Sequence, residues 1–146
     1  MAKQIILSFV AGFIATLVFH QPVLWLLHLA GVAPRAPYSM NRVPPFGVPS
    51  VISLAFWGGV WGIILIAAIA RIRGQGAYYL AATIIGAFAP TLVAWFVVAP
   101  IKHQPMGFRM PSLLIGPIVN AAWGLGTAVL YQLSARSSLP GVAPSR

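Results

Sequence analysis

The side chains able to do chemistry in this 146-residue chain are three histidines, nine lysines and arginines, and a scatter of amides and hydroxyls; Asp, Glu and Cys are absent. That inventory excludes paired-acid catalysis, a Ser-His-Asp relay, a thiolate nucleophile, a disulfide framework and an oxygen cage for hard cations, since each needs a carboxylate or a thiol. No catalytic residue is assigned. An enzyme acting on lipid through a histidine and arginines is the one catalytic combination that the composition leaves open.

The histidines do not form a metal set. His20 and His28 lie eight residues apart with Pro22 between them. On an ideal helix that spacing is about 12 Å of rise and about 80° of rotation, so the pair cannot grip one iron from opposite sides. His103 follows Pro100 in a connecting segment, and no carboxylate is present to orient any imidazole. No metal, haem or other cofactor is expected.

The cations are more informative. Arg35, Arg42, Lys102 and Arg109 fall in two connections on one side of the reading below, and all three histidines fall toward that side. Nothing in the chain can neutralise them. Such a surface attracts anions: lipid phosphates, an acidic partner protein or an anionic solute. Arg35, Arg42, Lys102, His103 and Arg109 are therefore the candidate anion, lipid or partner contacts. Protonation of the histidines below about pH 6.5 strengthens any of these. Nucleic acid is excluded, because the cations are spread in ones and twos over both faces with no basic stripe.

The elements that position these residues follow from the uncharged intervals between them. About 20 mostly apolar residues cross a hydrocarbon core of roughly 30 Å, and 60% of this chain is hydrophobic. Four runs qualify: about Ile5 to Phe19, with continuation past Pro22 to Ala30 left open, then Pro49 to Ala70, Ala77 to Ala99 and Pro111 to Tyr131. They are continuously apolar rather than alternating, so helices and not barrel strands are expected. The first run is too long for a signal peptide, is interrupted by His20-Gln21-Pro22 and has no small-x-small cleavage site before Pro34. It is expected to kink or end near Pro22, with Val23 to Ala30 as a second half-helix or an interfacial segment.

Between the first two runs lie Pro34, Pro37, Pro44, Pro45 and Pro49, which predict an extended loop. The expected organisation is one four-helix transmembrane domain over 1–133 and a polar, flexible tail over 134–146. Within the spans the polar candidates are His20, Gln21 and Asn120, because polar groups are costly in lipid. For Asn120 the structural alternative is an interhelical hydrogen bond. Thr16, Thr83, Thr91 and Thr127 are expected to bond back to their own helices.

Two further patterns appear. Pro49-Ser50 precedes Trp61-Gly62 by twelve residues, and Pro111-Ser112 precedes Trp123-Gly124 by the same interval, an offset of 62; Phe13 and Thr16-Leu17-Val18 match Phe88 and Thr91-Leu92-Val93 at an offset of 75. These predict two duplicated hairpins, about 5–70 and 77–131, as parallel repeats about an axis along the membrane normal. Gly58 and Gly62, Gly86, Pro90 and Ala94, and Gly116, Asn120 and Gly124 recur at four-residue spacing, which favours close helix packing. Lys3, Arg71, Arg73, Arg136 and Arg146 share one face against four cations on the other. The short Arg71/Arg73 turn favours cytoplasmic termini in a bacterial inner membrane, with Tyr78, Tyr79 and Tyr131 in an inner aromatic belt.

The chain thus reads as an all-α integral membrane protein of four transmembrane helices. Its expected function is that of a non-enzymatic structural or accessory subunit, packing in a membrane complex or a homo-oligomer. The alternative is a channel or carrier for an anion or small neutral solute. That would require an oligomer, because Trp57, Trp61, Trp95 and Trp123 crowd a single bundle.

Overall fold

The computed structural model describes residues 1–104 and 110–137. Four stretches of helix are long and apolar enough to cross a membrane: Ala2–Leu29, Ser50–Ile69, Gln75–Ile101 and Leu113–Ser137. In chain order the elements are α1 (Ala2–Ala15), a π turn (Thr16–His20), α2 (Gln21–Leu29), β1 (Arg42–Val43), β2 (Val48–Pro49) and α3 (Ser50–Ile69). After these come α4 (Gln75–Val93), a second π turn (Ala94–Val98), α5 (Ala99–Ile101) and α6 (Ser112–Ser137). The first long helix therefore passes through Pro22 without ending. The extra residue of the π turn absorbs the proline that would otherwise clash within the preceding turn.

α1 pairs most closely with α3, and α4 with α6. Glycine makes both crossings possible. A Cβ on Gly12 would collide with the backbone of Gly58 and Gly62, and one on Gly62 with the backbone of Ser8 and Gly12. In the second pair, a Cβ on Gly86 would meet the backbone of Gly124 and Asn120, and one on Gly124 that of Ala82 and Gly86. In both pairs the residue numbers run in opposite directions, so the helices are antiparallel. The small-residue stripe of α4 follows Ala82 and Gly86 rather than the expected Gly86, Pro90 and Ala94; Ala94 is exposed.

α6 also packs on α1. The Trp123 indole N–H donates to the Gly12 carbonyl over 3.0 Å, and the Phe19 ring fills the space beside Gly126. Ala15, Leu65, Ile66, Ile69, Ala82, Trp123 and Ala128 form the buried core where the four helices meet.

Two expectations need correction. α6 runs on to Ser137 and so takes in the first four residues of the expected tail over 134–146, whose residues 138–146 lie outside the described residues. Its polar last turns remain helical because Gln132 accepts a hydrogen bond from the Tyr79 hydroxyl at 3.0 Å, and Ser137 bonds back to the Leu133 carbonyl. The proline-rich connection is not simply extended, since it contains an antiparallel hairpin pairing Arg42 with Pro49 and Val43 with Val48. Backbone bonds from Ser50 N–H to Asn41 O and from Val51 N–H to Ser39 O weld that hairpin to the start of α3.

Candidate functional site

Thr16, His20 and Gln21 gather at the break in the first helix. The Gln21 N–H bonds to the Thr16 carbonyl, five residues back. This removes the donor that an α-helix would give to Leu17, and the next amide along belongs to Pro22, which has no N–H. The Leu17 carbonyl is thereby left without a helical partner in an apolar stretch, which is costly unless another donor reaches it.

Tyr38 supplies that donor. Its hydroxyl donates to Leu17 O at 2.8 Å, and its backbone N–H donates to Gln21 Oε1 at 2.7 Å. The Gln21 side chain is buried. Tyr38 holds φ at +51°, a left-handed conformation that a bulky residue keeps only when its surroundings impose it. One loop residue thus fastens the Pro-rich connection to the helix break at two points.

Next to this clamp, His20 Nδ1 is buried and has no hydrogen-bond partner among the described residues. His28 is committed elsewhere. Its Nδ1 lies 2.7 Å from the Ala33 carbonyl, closing the end of α2 where Gly31 turns the chain at φ +73°. His103 terminates α5 in the equivalent way. It takes φ +50°, its N–H bonds to Pro100 O, and the Gln104 N–H bonds to Ala99 O. That is the paired bonding of a helix C-terminus closed by a left-handed residue. Its imidazole is exposed. Among the described residues, no three histidines are gathered into a group.

Asn120 makes an interhelical contact. Its Nδ2 donates to Thr91 Oγ1 at 2.8 Å, and the Thr91 hydroxyl donates in turn to Ala87 O at 2.7 Å. Thr16, Thr83 and Thr127 also bond to carbonyls four residues earlier in their own helices.

Arg35, Arg42 and Lys102 are exposed in the connections between long helices, and no hydrogen bond joins them to another side chain among the described residues. Arg109 lies outside the described residues. Sequence reasoning missed Tyr38 as the clamp, Gly12 as the centre of the first crossing and the Trp123 indole as the bridge between pairs. A glycine one turn before Thr16 was a readable signal for the crossing. The Tyr38 contacts carry no such signal, because they join positions far apart in the chain.

No protein-family model, curated protein or solved structure matches the chain.

Proposed function

We propose that this chain is a four-span, non-enzymatic membrane protein that packs as an accessory subunit in a larger membrane complex or against further copies of itself. The observation that carries this reading is the closure of the small-residue faces. Gly12, Gly62, Gly86 and Gly124 meet the backbone of the partner helix, leaving no glycine-lined passage within either pair, while large apolar side chains such as Phe56, Trp57, Phe88 and Phe96 point outward. In lipid, association is driven by such close packing rather than by hydrophobicity.

In this reading the two hairpins are parallel copies of one unit, supported by the sequence offsets and by a glycine crossing in each, with Gly86 one residue from the Ala87 that the offset of 75 sets against Gly12. Lys3, Arg71, Arg73, Arg136 and Arg146 face the cytoplasm of a bacterial cell. Arg35, Arg42, Lys102, His103 and Arg109 face outward and take their counter-ions from lipid head groups or an acidic partner. Solubilisation in mild detergent, followed by native mass spectrometry, tests the central claim. A stoichiometric protein partner or a defined homo-oligomer is expected; a partner-free monomer overturns it.

A carrier for an anion or small neutral solute is the second reading, and the unpartnered Nδ1 of His20 favours it. Liposome flux that is lost in His20→Ala would support the carrier. Flux no greater than in protein-free vesicles removes it.

A further inference from the structure

The hairpin β1–β2 presents an unusual tip. Phe46 is 86% exposed and Met40, just before β1, is 67% exposed, with Arg42 exposed on β1 and Arg35 a little upstream. Both apolar side chains would be costly in water. The tip is nevertheless held in place, because the hairpin is bonded to the first turn of α3 through Ser50 and Val51 and its approach segment is clamped through Tyr38.

Its level relative to the helices identifies what it meets. α3 has 20 residues, about 30 Å of helix, which matches the hydrocarbon thickness alone. Its first residue, Ser50, therefore lies at the boundary of the hydrocarbon in the four-span reading. Phe46 is four residues before Ser50, a reach of at most about 13 Å. The first long helix extends past the same boundary, since Thr16 lies against Gly58 and the helix continues to Leu29. At the level of the hairpin it therefore sets the exposed apolar residues Trp25, Leu26 and Leu29. Apolar rings and arginines at this level, on a chain without carboxylates, are complementary to the head-group layer of an anionic bilayer.

We propose that the hairpin is an interfacial anchor, with Phe46 inserted among the first acyl-chain carbons below the head groups of the surrounding lipid and Arg35 and Arg42 on lipid phosphates. This rests on the four-span reading, and the test separates the two. The chain has no cysteine, so Phe46→Cys and, separately, Phe88→Cys each carry a single nitroxide in an otherwise unaltered full-length protein. Phe88 is an exposed position within α4. Both are reconstituted into phosphatidylcholine vesicles with and without phosphatidylglycerol, and relaxation by oxygen and by a water-soluble nickel chelate is compared.

The label at 46 is expected to show an oxygen-to-nickel ratio several-fold above that of free label in water. The ratio should rise further with phosphatidylglycerol, and Arg35→Gln with Arg42→Gln should abolish that rise. An aqueous ratio at 46 with a lipid ratio at 88 overturns the anchor and leaves the four-span reading standing. Aqueous ratios at both positions overturn both. A label at 46 shielded from both reagents places it against protein, and also overturns the anchor.

Discussion

The α1–α3 and α4–α6 pairs close in the same way and differ at the end where the basic connections lie. Each crossing sets glycine against backbone, and in each the first helix carries a π turn followed by a proline: Gln21 N–H to Thr16 O before Pro22, and Ala99 N–H to Ala94 O before Pro100. Around the first break stand His20 and Gln21, whereas the same positions before Pro100 hold Val98 and Ala99. The first pair also has a long connection that returns through Tyr38. The comparison separates a shared packing device from a polar specialisation confined to one hairpin.

The shared device should give the largest effects. At Gly62 and Gly124 an added side chain would meet backbone, which cannot swing aside. Gly62→Val and Gly124→Val should each destabilise the protein by about 3 kcal/mol, the upper end for an overpacked interior. Detergent-titrated unfolding followed by Trp fluorescence measures this. Similar losses are expected in the two variants; a loss in only one would show that the crossings are not equivalent. Gly58→Asn belongs with this group, because its side chain would enter the space held by the Thr16 hydroxyl.

The specialisation comes next in size. Tyr38→Phe keeps the ring and the backbone bond to Gln21 but leaves the Leu17 carbonyl without its donor. An unsatisfied acceptor of this kind costs about 1–3 kcal/mol. Hydrogen exchange should accelerate in the segment from Ala30 to Ser50 while the α4–α6 pair stays unchanged. Unaltered exchange in that loop would mean that the phenol does not hold it.

What could be read in the sequence and what could not divide along a physical line. Helix number, the four threonine back-bonds and the tight packing at Gly58, Gly62 and Gly124 depend on composition and short-range spacing, and those are local properties. Continuation through Pro22 was legible only as one of two alternatives, because a proline reports that an α-helical bond is lost and not which alternative bond replaces it. The Tyr38 clamp needs a left-handed tyrosine to meet a vacated carbonyl across a folded loop, and neither condition leaves a local mark. The polar end of α6 misled for a related reason: its polarity reads as a tail until Tyr79 on the neighbouring helix gives Gln132 a partner.

The smallest expected effect lies at a place where the crossings themselves differ. Asn120 occupies the position that Gly58 holds in the first pair, and the two meet their threonines differently. At Gly58 the absence of a side chain lets Thr16 come directly against the backbone, whereas at Asn120 the amide donates to Thr91. An interhelical hydrogen bond in a membrane averages about 0.6 kcal/mol, because the separated helices find other partners. A cycle of Asn120→Ala, Thr91→Ala and the double variant should therefore return a coupling of about 0.6 kcal/mol. The outcome is asymmetric by geometry: removing the Asn120 amide leaves the glycine crossing beside it intact, while adding an amide at Gly58 forces the first crossing apart. A coupling of several kcal/mol at Asn120 would make that residue a determinant of the second crossing, and the difference between the hairpins would then extend into their packing as well as their ends.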